Sequence, residues 1–478
     1  MGYNFVAGDR DQLLLMPPSL AEWLPADHLA WFVLDVVGEL DLGVFVAAYR
    51  ADGRGGAAYD PSMMVALLVY AYCVGERSSR AIERRCTEDV AFRVVAANQV
   101  PDHATIARFR ATHQDALGEL FGQVLRLCAR AGLIRAGLLA VDGTRMQANA
   151  SRDANRTAEQ LAKEILDDAA RVDAEEDERF GDARGDELPA ELVGSGRRAR
   201  IRALLDDLEA DAAKHSYEAQ LARRAEIEAA TGRRLRGRQP KPDAQHRQSR
   251  KRANLTDPDS RLLRERGGYV QGYNAQAVAT VEQFIVAAAV TNDGSDDAQF
   301  VPMVAHAKKN LRAAGAPSRV RTVVADAGYW SKDNVATSSV EALIAPGKTH
   351  NIDQQIRAEA ERGEVLARVE QGELSIGDAA AELRLGRSRV DQLLLARRRG
   401  SPPTPAIAMV AKLATPRGRR LYKKRCATIE PIFGQTKHNR GIRRFARRGL
   451  SAVDSEWKLI AATHNILKLF RHTQPNYA

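Results

Sequence analysis

What most constrains the fold of this chain is the order in which its apolar runs change period. Residues 137–149, GLLAVDGTRMQAN, read as a strand in which Leu138-Leu139-Ala140-Val141 ends at Asp142-Gly143. Two further strands, GYVQGYNAQAVAT and FIVAAAVT within 268–291, are joined by the short link Val281-Glu282-Gln283, a hairpin signal. A helix is expected over Ala298 to Ala314, then a strand from Arg321 that ends at Asp326, then a fifth strand within 338–347. A long polar, helix-prone stretch, 151–265, separates the first strand from the second. The series strand, insert, strand, strand, helix, strand, strand, late helix implies a mixed five-stranded sheet with flanking helices. Asp142 and Asp326 close the first and fourth strands of that series.

Around this α/β core the chain reads as helical. Residues 1–135 form an all-α N-terminal domain, with Asp60-Pro61 opening the run MMVALLVYAYCVG as N-cap and first helical residue. Its arginines, among them Arg80, Arg84 and Arg108, suit either DNA binding or a solvated helical face. The insert at 151–265 is acidic at its start and basic at its end. Residues 167–191 hold eleven Asp and Glu against three Arg, and 233–252 hold nine Lys and Arg against Asp243. A helical hairpin is expected in its middle, and its basic end reads as a DNA clamp or a solvated linker. A second helical insertion, 360–400, has the pattern of a helix-turn-helix. Ala380 would pack between the helices, Arg384 would hold the turn, and Val390 and Leu393 would face inward. Arg387 and Arg389 would then face a major groove, unless the unit is an ordinary helical pair. The core itself is assigned to 136–150, 266–348 and 405–478.

The net charge of +10 favours an anionic partner. Between Arg417 and Arg448 stand twelve Lys and Arg and one acidic residue, Glu430. A carboxylate amid such charge weakens plain binding to phosphates, but it makes sense as a ligand to a divalent cation that the phosphate also touches. Three carboxylates, Asp142, Asp326 and Glu430, would repel one another without cations. Two Mg²⁺ or Mn²⁺ ions about 3.5–4 Å apart remove that conflict and suit phosphodiester chemistry. The other acidic clusters, Asp257 and Asp259 in TDPDSR and Asp293, Asp296 and Asp297 in TNDGSDDAQ, compete for the same role but read as turn and cap residues. Pro431 disfavours helix at Glu430, which places that residue at a helix start. Four cysteines with no CxxC pair fit a reducing compartment, and no run is long enough to span a bilayer. A cytoplasmic, nucleoid-associated protein without membrane contact is expected.

Several motifs together resemble the DDE-type transposases of bacterial insertion sequences. They are VDGTRMQANAS, DPDSRL with GYNAQ, ADAGYWS, and TIEPIFGQTKHNRGIRRF followed by WKLIAATHNILKL, with FVAGDRDQLLLMPPSL, YDPSMMVALLVYAY and PDHATIARFR near the start. The resemblance covers most of the chain outside the two inserts. It implies a ribonuclease H-like core, in which the first and fourth strands are neighbours so that Asp142 and Asp326 would lie side by side at one sheet end, with Asp142, Asp326 and Glu430 as metal-binding catalytic residues. It also implies a Tyr-Arg-Glu-Lys signature at Tyr422, Arg425, Glu430 and Lys437, in which the Arg-to-Glu spacing is one residue longer than the family pattern. Arg425 is thereby rotated off the helix face that Glu430 and Lys437 share. Tyr422 would stack on a base or pack in the core, and Arg440, Arg443 and Arg444 would add DNA contacts. The implied partners are double-stranded DNA, as transposon ends and target, and at least a second copy of the chain when two ends are paired. The rival expectations are a nuclease of the same core that cuts without joining, and a DNA-binding descendant that does not cut.

Overall fold

The structure is a computed structural model that describes residues 19–49, 58–157, 252–265, 267–316, 319–337, 339–346, 352–398 and 405–473, with a few positions between 160 and 225. The hairpin and basic loop expected within the first insert, and the block before residue 19, lie outside the described residues.

Helices come first: α1 (Leu29–Gly38), α2 (Gly43–Ala47), α3 (Pro61–Cys73), α4 (Ser79–Glu88), α5 (Val90–Val95), α6 (His103–Thr112) and α7 (Gln114–Arg130). Their starts follow capping chemistry. Asp60 accepts from the Ser62 amide ahead of Pro61, Ser78 caps α4, and Asp102 accepts from the Thr105 amide at the head of α6. The apolar run in α3 has no polar face, and α3 is accordingly buried from Met63 to Cys73.

The sheet then forms from β1 (Leu138–Gln147), β4 (Arg261–Glu265), β5 (Gly268–Thr280), β6 (Ile285–Thr291), β7 (Thr322–Ala325) and β8 (Glu341–Ile344). Its order is β4-β5-β1-β7-β8, with β6 pairing β5 beyond the stretch that β4 pairs. β1 is antiparallel to β5 and parallel to β7, and β7 is parallel to β8. The sheet therefore has six strands rather than the five expected. The extra strand, β4, lies in what the sequence assigns to the insert. A small ladder of β2 (Asn155–Thr157) and β3 (Arg252–Asn254) also closes the insert's base, so its two ends are strands and not helix. Here the charged composition hides a β ladder that pairs residues as distant in sequence as Asn155 and Asn254.

Helix α8 (Phe300–Ala313) packs on β6 and β5, and α9 (Lys332–Thr337) precedes β8. A separate helical unit follows: α10 (Ile352–Glu370), α11 (Ile376–Glu382) and α12 (Arg387–Arg398). The chain returns through α13 (Pro405–Ala414) and α14 (Pro416–Gly434), passes a π-helical turn at Gln435–Asn439, and ends in α15 (Leu450–Thr473). Helix α15 packs on α7, α3 and β6. The Trp457 indole donates to the Gln276 carbonyl at 2.8 Å, and Asn465 exchanges hydrogen bonds with the backbone of Ile285 at 2.9 and 2.8 Å. As a result, one continuous core runs from Ala30 through the sheet to Leu469, and residue 135 marks no break in it. Among the described residues no helix is long and apolar enough to cross a membrane.

Candidate active site

Asp142 does not end its strand. β1 continues to Gln147 along β5, but its parallel partner β7 stops at the pair Val141–Ala325. Asp142 and Asp326 each follow that last pair, so two carboxylates flank the point where the parallel ladder opens. Gly143 then leaves room for the side chains of Gln276 and Asn274: a Cβ there would sit 2.3 Å from the Gln276 side-chain nitrogen. Asp326 caps the turn after β7 by accepting from the Gly328 amide at 2.8 Å.

Helix α14 brings the third carboxylate. Pro431 does not start this helix; it lies inside it, and Glu430 sits about four turns from the N-terminus of one continuous element. A proline removes the amide that would bond the carbonyl four residues earlier, here that of Ala427. The Gln283 side chain, from the turn between β5 and β6, donates to that carbonyl at 3.0 Å and so satisfies it. The Glu430 carboxylate is 56% exposed, while that of Asp142 is 17% exposed.

Arg425 joins them. Its guanidinium reaches Asp142 Oδ2 and Glu430 Oε1, both at 3.4 Å, and its side chain is 16% exposed. The expectation that Arg425 turns away from Glu430 is therefore corrected, because the guanidinium swings back across the helix to the charge it can neutralise. Arg425 alone does not balance the site. Burial, then the neighbouring Asp326, push the Asp142 carboxyl up to about 7 against the pull of Arg425, with Asp296 adding to the rise. Burial raises Asp326 as well.

Asp296 is the residue that sequence reasoning missed. It is no mere turn residue: it accepts from the Asn274 and Gln276 amides at 2.6 and 2.9 Å and pairs with Arg145 at 3.2 Å. Gln276 in turn accepts from the Tyr329 hydroxyl, which burial and the three nearby aspartates hold protonated. The GYNAQ motif thus fixes a fourth carboxylate beside the first two. By contrast, Asp257 and Asp259 do structural work. Asp257 is buried against the Tyr273 hydroxyl at 2.7 Å, and Asp259 accepts from the Leu450 amide at the start of α15.

The remaining candidates divide. Arg443 and Arg444 are exposed, on a segment whose backbone bonds Gln147 at the end of β1. Arg387 and Arg389 are exposed on α12, far along the chain from the carboxylates. Tyr422 is half-buried against the core, and Lys437 is half-buried with its ammonium on the Arg145 carbonyl at 2.7 Å. Arg440 is the correction: it is 7% exposed and bonds Thr463 at 2.9 Å and the Tyr72 carbonyl at 3.4 Å, so it ties the turn after α14 to the helical core and its guanidinium faces inward.

The donor set suits a hard divalent cation: carboxylate oxygens, crowded and desolvated, with more negative charge than one guanidinium offsets. Among the described residues no three acidic, His or Cys side chains already stand at metal-holding distance. Arg425 lies between Asp142 and Glu430, and it must move for the two to share an ion.

Two families match the chain. A transposase domain (DUF772) matches residues 18–112, which span α1 to α6, and a transposase DDE domain matches residues 403–470, which span α13, α14 and most of α15. Both matched domains are transposase domains, and together they support an insertion-sequence DDE transposase. Glu430, Arg425, Tyr422 and Lys437 lie inside the DDE match, whereas Asp142 and Asp326 lie outside both. Neither the curated proteins nor the solved structures gave a match. Transposases as a class act on DNA, and DDE transposases as a class use divalent metals.

Proposed function

We propose that this transposase binds the terminal repeats of its own element, cleaves a strand to expose a 3′-hydroxyl, and joins that end to target DNA. In this reading the sheet is a ribonuclease H-like core, and Asp142, Asp326 and Glu430 are its catalytic carboxylates. The observation that carries it is that Asp142 and Asp326 both follow the last pair of the β1–β7 ladder, and that Arg425 links Asp142 to Glu430 from within the matched DDE domain. The three carboxylates would hold two Mg²⁺ or Mn²⁺ ions, which supply an activated water or 3′-hydroxyl and neutralise the leaving oxygen. Asp296, clamped by Arg145, Asn274 and Gln276, keeps further negative charge against Asp142 and Asp326 and so favours cations there. Arg425, once displaced from Asp142 and Glu430, is placed to take a phosphate, as Arg443 and Arg444 are at the end of β1. Pairing two ends requires at least two copies of the chain.

The test is incubation of wild type and Glu430→Gln with labelled duplexes carrying the sequences that flank this gene. Wild type should give nicked and joined products that need Mg²⁺ and vanish with EDTA, while the variant binds and does not cut. A protein that binds and never cuts under Mg²⁺ or Mn²⁺ overturns the catalytic reading, and nicks without joining would favour a nuclease.

A further inference from the structure

The unit α10–α12 lies outside both matched domains, and the catalytic reading uses none of it. It folds around a core of its own: Val365 and Leu366 from α10, Ala379 and Ala380 from α11, Val390 and Leu394 from α12. The small side chains on α11 let the other helices approach closely. The turn after α11 places Arg384 at φ +52°, the left-handed position that reverses the chain within a few residues. Ion pairs Arg368–Glu382 at 3.1 Å and Arg397–Glu370 at 3.0 Å brace α10 against both partners.

With that core beneath it, α12 turns Arg387, Ser388, Arg389, Asp391, Gln392 and Leu395 to solvent. Two arginines and one aspartate give this face a positive balance, concentrated in the first half of the helix, since Arg397 further along is engaged by Glu370. The Arg389 guanidinium donates to Gln392 Oε1 at 3.2 Å, so the two long side chains hold each other upright. An isolated α-helix face of this kind fits the major groove of B-DNA, where a paired guanidinium reads guanine and a side-chain amide reads adenine. The first helix of such a pair crosses the backbone while the N-terminal part of the second meets the bases.

We propose that α11 and α12 are a DNA-reading helix-turn-helix inserted into the catalytic core, with Arg389 and Gln392 contacting base edges and Arg387 positioning the helix on the backbone. The choice of duplex DNA as occupant rests on the proposed function above; the reading of sequence by this unit is separable from cleavage. Helix α10 packs on α13, and α13 packs on α14, the helix that carries Glu430. Two packed helices thus connect the reader to the site of chemistry.

The experiment is selection from a library of random-sequence duplexes by the full-length protein, in EDTA so that no cutting intervenes. Wild type should enrich a motif. Arg389→Lys, which keeps the charge and loses the paired donors, should lose its preference at one position by about ten- to a hundredfold and keep its binding to unrelated DNA. Gln392→Ala should relax a neighbouring position. If wild type enriches nothing, or if both variants enrich the wild-type motif, the inference is overturned. A protein that enriches a motif and never cuts sinks the transposase chemistry and leaves this reader standing.

Discussion

Asp142 shows how one buried carboxylate links the candidate site to the stability of the fold. A buried carboxylate whose value rises from 3.8 to about 7 binds its proton more tightly in the native state than in the unfolded chain. Stability should therefore fall as pH rises from about 4 through 7 and stay low above that. Asp142→Asn should remove this decline, which amounts to about 2–4 kcal/mol. Mg²⁺ should raise the stability of wild type at pH 8 and leave the variant unmoved. Denaturant titrations at pH 4.5 and pH 8, with and without Mg²⁺, measure both; a wild type whose stability does not change between those pH values would contradict the argument. Not every residue of this site was legible in the sequence. Asp142 and Asp326 could be found because each follows an apolar run. Asp296 could not, since it lies in a loop of turn composition and its partners Arg145, Asn274 and Gln276 meet it only through the fold. Charge density likewise says nothing of sidedness, and so it counted the buried Arg440 among the arginines available to phosphate.

At the scale of elements, the strands were legible wherever an apolar run had clear ends. They were lost where a short strand carries charge, as in β4 with Arg261, Arg264 and Glu265. The Pro431 rule failed for a different reason. A local preference against helix was outweighed by a long-range donor, because Gln283 serves the carbonyl that Pro431 leaves open. Gln283→Ala should then cost about 1 kcal/mol. In a Pro431→Ala background, where the helix supplies its own amide, the same change should cost much less, for a coupling of about 0.5–1 kcal/mol. A double-mutant cycle from urea midpoints measures it, and additive effects would refute the link. If the coupling holds, the β5–β6 turn also fixes the height of α14 above the sheet, and with it the reach of Glu430.

At the scale of the molecule, the described residues form two cores of unequal size. The larger joins α1 through α7, the sheet and α15; the smaller closes only α10 to α12. A core of six buried side chains supports little stability by itself. Calorimetry should resolve two transitions. Leu394→Ala, which cuts into the small core, should lower only one of them, by about 2–5 kcal/mol. A single transition that moves as a unit would mean that the small unit has no independent stability. The N-terminal helices should melt with the sheet, since Glu456, buried on α15, pairs with Arg77 and accepts from the backbone of Ala446 and Arg447. Because α10 to α12 close on themselves and meet the rest through α10 and α13, the proposed reading makes the address and the cut separate parts. On that reading, exchange of a few residues on α12 would send the same cutting site to a different element, and a lineage of such enzymes could change its ends without rebuilding its carboxylates.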